Sequence, residues 1–560
     1  MSARLTQQYQ KLHRHFAGQA EAVSLQQLAD LLFCTRRHMR SLLQQMQAQG
    51  WIAWQARAGR GMRSRLSFLQ APEQLQRERA AQLLEQGKVE QAVDLLGDDR
   101  GELAPLLLAR LGKRWSQDRQ VLGVPYYRPL PNLYPGTPLR RSERHLVGQI
   151  FNGLTRINEE KGEVEGDLAH HWNQHSPLEW HFHLRPAVRW HDGVELSVAD
   201  VQASLLRLRA QPLFSHLAAV RPLSPRSLAL ELSEPDQWLP WLLADSAALI
   251  LPADHASRAD FASRPVGTGP YRVAANTRHQ LCLQAFDDYF GYRALLDQVD
   301  IWMVPELGEQ LEHGDGQVCG LEVRINPREP SVQTEMALES GVYFLLADSR
   351  SPLMRDTALR DWLAQTLTPL AVMHETAPAV RQYWAPAAGL LPNWHHAQPP
   401  LNLQPPAGLS MLRLAYYEQH PEYQLIAAAM TRCLLSRGVA LECRALPYAD
   451  WEQGQAEADL WLGSVNFATR PEYSVAAWVL GTPLLRRCLE PALPLAQWRQ
   501  GWRQGLFHAQ DLSAAVVQQR WMLPLFHNWL RLQGPAQMQG VRLNSLGWFD
   551  FKSAWLHPDS

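Results

Sequence analysis

Eleven residues apart stand two side chains that can each begin a helix, Ser24 in SLQQLADLL and Thr35 in TRRHMRSLLQQMQ. Ser24 has Gln27 three positions on, a capping-box pattern, and Leu25, Leu28, Ala29 and Leu32 recur at helical spacing behind it. Only Phe33 and Cys34 are left for the connection. The chain must therefore turn sharply between two short helices, the second running to about Gln49, before Gly50. Leu5, Tyr9, Leu12 and Phe16 predict one further helix ahead of them.

On the second helix Met39, Leu42, Leu43 and Met46 share one arc, while Arg36, Arg37, Arg40, Gln44 and Gln47 share another. A lone helix with a solvated face would look the same. Arginine at a helix start, however, meets the positive pole of the backbone dipole, and three of them there call for an anion. A brief turn followed by a basic helix is what insertion into a DNA major groove requires.

WIAWQARAGRGMRSRLSFL follows, with Ile52 and Trp54 alternating, then Leu66 and Phe68, around a Gly59–Gly61 turn. This predicts a hairpin carrying Arg57, Arg60, Arg63 and Arg65. A hairpin that merely covers the helices is the bland reading. Helix, helix, helix and basic hairpin is the order of a winged helix-turn-helix, with the motif at about 26–49 and the wing at about 51–69. The expected DNA contacts are Thr35, Arg36, Arg37, His38, Arg40, Gln44, Arg57, Arg60, Arg63 and Arg65. Wing arginines would meet phosphates, and Arg36, Arg37 or Arg40 would reach a guanine edge.

The charge distribution agrees. The whole chain carries −1, yet residues 1–70 hold ten Lys/Arg against only Glu21 and Asp30. A neutral whole with a basic end points to a partner for that end alone. At 560 residues the chain exceeds one hydrophobic core, so two or more domains are expected. MSARLTQQYQKLHRHF has no apolar run for a signal peptide, and no later segment has the roughly 18 apolar residues of a membrane span. Cysteines 34, 282, 319, 433, 443 and 488 lack CxxC spacing, so neither zinc nor disulfides are suggested. The expectation is a cytoplasmic protein with reduced thiols and no membrane partner.

PEQLQRERAAQLLEQG begins a helical connector, with Leu95, Leu96, Leu103, Leu106, Leu107, Leu108 and Leu111 continuing it to about Trp115. It either completes the core of a first domain, 1–116, or offers a homodimer surface suited to paired half-sites. From about residue 120, strands and helices alternate. VLGVPYYRPL reads as a buried strand, and RRSERHLVGQIFNGLTRINEE as helix, turn and strand. WHFHLRPAVRWHDGVELSVADV is a strand, a turn and a helix capped at Ser197, and PVGTGPYRV is a glycine-rich corner.

These segments, with FDDYFGYRALLDQVDIWMVPE and YWAPAAGLLPNW, resemble the family 5 extracellular solute-binding proteins over about 120–560, with a core at about 163–492. Taken with CTRRHMR, GRGMRSRLSFL and LGWFDFKSAWL, the whole chain resembles bacterial transcriptional regulators of the sugar-phosphate stress response. The resemblance implies an α/β protein: a winged helix-turn-helix followed by a two-lobed periplasmic-binding-protein-like unit of type II that closes on a small solute. It also implies activation of a small-RNA gene, repression of the regulator's own gene, RNA polymerase as a partner, and a phosphosugar such as glucose 6-phosphate as signal.

One departure bears on the ligand. Peptide receptors hold the peptide ammonium with an aspartate after an Asp-Leu strand; here Asp459-Leu460-Trp461-Leu462 leads into GSVNFATRPEYS without it. That permits an anionic or neutral ligand. Arg128, Arg140, Arg141 and Arg470 are candidate anion contacts, and Asn466, Trp384 and Tyr127 candidates for hydroxyls or stacking. Most of the 21 tryptophans should be core.

No metal, cofactor or enzyme chemistry is expected. His170-His171 and His395-His396 are adjacent pairs whose rings should point apart. GTGPY lacks a dinucleotide-loop continuation, Asp287-Asp288 fits a turn, and neither a phosphate loop nor a nucleophile elbow is present. A transporter's solute-binding component for peptides or sugars is the alternative, and a hydrolase or transferase with an accessory helix-turn-helix is a third.

Overall fold

Thr35 accepts a hydrogen bond from the His38 amide, and Ser24 and Gln27 cap each other reciprocally. The two helix starts thus lie where the local signals put them. The computed structural model describes residues 3–57, 63–85, 88–96, 106, 112–116, 119–303, 322–324, 333–396, 403–534 and 538–557. The chain divides into two units, Met1–Ala109 and Arg110–Ser560.

In the first unit α1 (Ala3–His15), β1 (Glu21–Val23), α2 (Leu25–Leu31), α3 (Arg36–Ala48), β2 (Ile52–Gln55) and β3 (Ser64–Phe68) follow in order. β2 and β3 pair antiparallel with Ile52 opposite Phe68 and Trp54 opposite Leu66, the register that the alternation predicts. β1, a three-residue strand that the sequence does not announce, adds on the other side of β3. Leu5, Tyr9, Leu12, Leu28, Ala29, Met39, Leu42, Leu43, Met46, Trp51, Ile52 and Leu66 form one core. Removing these side chains from water is what holds so short a set of helices together. The architecture is a winged helix-turn-helix.

The connector gives α4 (Pro72–Glu85) and α5 (Val89–Leu96). Leu103, Leu107, Leu108 and Leu111 lie outside the described residues, as do Arg60, the Gly59–Gly61 turn and Cys319. The helical reading to about Trp115 is corrected: β4 (Gly112–Ser116) is a strand, paired antiparallel with β5 (Arg119–Tyr126). The leucine run hides the switch because apolar residues every three or four positions suit a helix whether or not one forms.

The second unit has two main sheets. β12 (Tyr271–Asn276), β13 (Gln280–Ala285), β14 (Gln298–Met303), β5 and β4 make the first, with β14 and β5 parallel. Its core includes Leu122, Val124, Leu146, Ile150, Leu283 and Ile301 with Trp548, Phe549 and Phe551 from the C-terminal stretch. The second sheet contains β17 (Gly341–Ala347), β19 (Met411–Tyr417), β20 (Ala440–Leu446), β21 (Leu460–Asn466) and β22 (Met522–Gly534). β19 runs parallel to both β20 and β21, whereas β17 is antiparallel to β21 and β22. A four-stranded sheet of β8 (Ala169–Ser176), β9 (Glu179–Leu184), β10 (Leu217–Ser224) and β11 (Ser227–Leu232) shares the second lobe's core. β6 (Thr155–Asn158) and β7 (Glu163–Gly166) pair with each other, and β15 (Glu322–Arg324), β16 (Gln333–Leu338) and β18 (Trp384–Pro386) pair with β22.

The glycine-rich corner is a close-approach device. A Cβ on Gly267 or Gly269 would stand 2.0 or 2.5 Å from the Ile150 backbone, so no other residue fits there without a shift. The His170-His171 expectation is also corrected. A register shift between Ala169 and His171 lets both rings approach His183, at 6.3 and 5.8 Å, instead of alternating to opposite faces.

Candidate ligand cavity and nucleic-acid interface

The ends of β5, β19 and β21 and the starts of β17 and of the Arg141–Ile150 helix converge on one cavity of about 250 Å³ in the second unit. Strand ends in open α/β sheets are where ligand crevices form. Five of the seven predicted contacts, Tyr127, Arg128, Arg140, Arg141 and Asn466, line it. Trp384 and Arg470 do not. Trp384 is buried and stacks on Phe526, with centroids 4.3 Å apart, and the Arg470 guanidinium lies 5.8 Å from the Trp241 ring centre.

The arginines are not equivalent. Arg128 donates from both terminal nitrogens to Glu143, at 2.6 and 2.9 Å, and both side chains are buried. Its charge is spent inside the wall. Arg141 donates to Glu339 Oε1 at 2.8 Å and to Asn466 Oδ1 at 3.3 Å. Arg140 occupies the N-cap position without capping the helix, and its guanidinium lies 5.2 and 5.4 Å from the Tyr417 and Tyr448 ring centres. Its Nη1 is buried without a hydrogen-bond partner among the described residues. A buried cation with an unused donor is costly unless something accepts from it.

Sequence reasoning missed much of the lining: Tyr343, Tyr417, His420, Glu422, Tyr448 and Glu452. Burial raises the Glu422 carboxyl to about 7, although Tyr343 hydrogen-bonds it, and burial likewise raises Glu452 to about 7 against the pull of Arg144. His420 is pushed well below its ordinary value, first by burial and then by Arg141, Arg140 and Arg128. Its neutral ring stacks on Tyr423 at 3.9 Å. Four arginines line the cavity against Glu339, Glu422 and Glu452, and burial makes the last two resist ionising. LGWFDF, which carried part of the resemblance, supplies Leu546, Gly547 and Trp548 to the wall.

In the first unit, Thr35, Arg36, Arg37, His38, Arg40 and Gln44 are all exposed, opposite buried Met39, Leu42, Leu43 and Met46. Arg57, Arg63 and Arg65 are exposed on the wing strands and their flanks. No helix among the described residues is long and apolar enough to cross a membrane.

A winged helix-turn-helix joined to a two-lobed receptor unit defines a class: a DNA-binding regulator with a solute-binding domain. Residues 4–118 match the family described as sugar transport-related sRNA regulator N-terminal, and residues 163–363 match the middle region of the bacterial extracellular solute-binding proteins, family 5. The HTH-type transcriptional regulator SgrR of Yersinia enterocolitica is 48% identical over 557 residues, covering 100% of this chain and 99% of that one. The chain belongs to the SgrR family of transcriptional regulators. Two solved receptors share the fold. AgaA from A. tumefacien R10, in complex with agropinic acid, has TM-score 0.63 and 17% identity over 79% of this chain and 99% of its own. The oligopeptide-binding protein AppA from Bacillus subtilis, in complex with a nonapeptide, has TM-score 0.63 and 15% identity over 78% and 99%.

Proposed function

We propose that this regulator acts in the cytoplasm and senses a small anionic polyol, a phosphosugar such as glucose 6-phosphate, in the cavity of its second unit. On this reading ligand-bound protein activates a small-RNA gene and represses the regulator's own gene, with RNA polymerase as a further partner. The observation that carries the ligand class is the Arg140 guanidinium: framed by Tyr417 and Tyr448, it has a buried nitrogen that none of the described residues satisfies. A phosphate or carboxylate oxygen would accept from that nitrogen as a charge-assisted hydrogen bond. Tyr127, Tyr343, Trp451 and Trp548 line the cavity with aromatic rings against which a sugar could pack, and Asn466 and Ser464 offer polar groups to its hydroxyls.

Ligand shifts DNA binding only by its differential affinity for two states of the protein, typically about 1–3 kcal/mol. The effect is reciprocal, so promoter DNA should change ligand affinity by the same factor. The test is calorimetric titration of the full chain with glucose 6-phosphate, glucose and inorganic phosphate. Binding of the phosphosugar, weakened at least tenfold in Arg140→Ala and absent for glucose, is expected. Equal affinity of wild type and Arg140→Ala for the phosphosugar would remove Arg140 from the reading, and binding of glucose alone would overturn the anion class.

A further inference from the structure

α2 and α3 end in the same backbone motif with different residues at its critical position. After α3 the Trp51 amide bonds to Met46 O and the Gly50 amide to Gln47 O, both at 3.0 Å, and Gly50 takes φ +73°. After α2 the Cys34 amide bonds to Ala29 O at 2.9 Å, the Phe33 amide bonds to Asp30 O at 3.2 Å, and Phe33 takes φ +51°. Both are Schellman closures, whose left-handed residue is ordinarily glycine or asparagine. A phenylalanine there carries backbone strain that either of those residues would avoid. Among the described residues of the first unit nothing offsets it, and Phe33 is 95% exposed.

The surroundings say what would. Phe33 stands two residues before Thr35, the cap of the helix whose first turn carries exposed Arg36, Arg37 and His38. Between residues 31 and 57 there is no acidic residue. A helix-turn-helix presents that end of its second helix to the duplex. Strain combined with an exposed ring on a basic recognition face fits a surface that is anionic overall and apolar in patches. The wall of a DNA groove is such a surface, with deoxyribose faces between its phosphates.

We propose that Phe33 is a DNA-contacting residue: its ring packs on the sugar edge of the groove beside the recognition helix, giving an apolar, sequence-independent contact. The inference rests on the DNA-binding role of the first unit and not on the identity of the cavity ligand. Strain held at an exposed functional position predicts opposite effects on stability and affinity.

The experiment uses the full chain, a random-sequence duplex and a duplex from immediately upstream of the chain's own coding sequence, each titrated across a salt series. Phe33→Asn is expected to melt a few degrees higher, because asparagine accepts the left-handed conformation. It should bind both duplexes about fivefold more weakly, with the slope of log affinity against log salt unchanged, because no phosphate contact is lost. Phe33→Leu should keep affinity within about twofold of wild type. A Phe33→Asn protein that binds both duplexes as tightly as wild type overturns the assignment, and so does a loss confined to one duplex or accompanied by a shallower salt slope. Wild-type protein that binds neither duplex at low ionic strength would sink the DNA-binding premise itself, a result distinct from any change between variants.

Discussion

Arg141 and Glu339 meet across the cavity, Nη1 to Oε1 at 2.8 Å, and tie the first residue of a first-lobe helix to the segment just before β17. The pair is lopsided: the Glu339 side chain is 8% exposed and that of Arg141 is 36%. Removing the cation therefore leaves a nearly buried carboxylate alone, whereas removing the carboxylate leaves a cation that water can reach. Arg141→Ala should lose roughly 1–2 kcal/mol of stability, below the cost of breaking a fully buried pair because of that exposure. Glu339→Gln, which keeps an acceptor for Arg141, should lose less. Urea unfolding of both variants checks the order; equal losses would mean that the tie contributes nothing specific.

Glu422 gives the fold a pH dependence of definite sign. Its carboxyl, raised by burial to about 7, binds its proton more tightly in the folded chain than in the unfolded one. Between the ordinary carboxyl range, near 4.5, and about 7 the folded state holds more protons, so stability falls as pH rises through that window and levels off above it. Glu452, also raised to about 7, adds in the same direction. Glu422→Gln should flatten the decline, becoming more stable than wild type above pH 7 by up to about 3 kcal/mol and gaining little near pH 4.5. Denaturation midpoints across that range decide it, and a parallel offset at every pH would contradict the mechanism.

How much of this was legible in the sequence depends on how local the cause was. Ser24, Gln27, Thr35 and the Met39–Met46 stripe are local signals, and the helices start and bury as they predict. β1 escaped notice because a three-residue strand has no period, and β4 because a leucine run masked it. In the cavity, arginines 128, 140 and 141 could be nominated by type and place. Their roles are set by partners: Glu143 lies within the next helix, but Glu339 lies 198 positions away. Which guanidinium is left over is a fact of tertiary structure. Tyr417 and Tyr448 frame it from two elements whose sequences carry no mark of a site.

The cap at Thr35 supports α3 whether or not Thr35 also meets DNA. Its hydroxyl accepts from the His38 amide at 3.2 Å, satisfying one of the free amides of the first turn. Thr35→Ala should destabilise the first unit by about 1 kcal/mol, while Thr35→Ser should be nearly neutral. Hydrogen exchange of the α3 amides in the full chain would register it. Equal protection of those amides in Thr35→Ala and wild type would show that water replaces the cap without cost.

Arg40 and Arg63 should fail in different ways. Arg40 is exposed on α3, one turn in from its start and on its basic arc, where the proposed reading has it reach base edges. Arg63 is exposed immediately before β3, where the proposed reading has it meet a phosphate. A forked contact to guanine discriminates by about 1–3 kcal/mol, so Arg40→Ala should bind promoter DNA roughly 5- to 150-fold more weakly, with little change on random DNA. Arg63→Ala should weaken both equally and lower the salt slope by about one, the signature of one lost phosphate contact. Binding of both variants to both duplexes at several salt concentrations separates the roles. If the two variants lose the same affinity on both duplexes with the same slope, the helix and the wing share one electrostatic function and the division into reading and gripping fails.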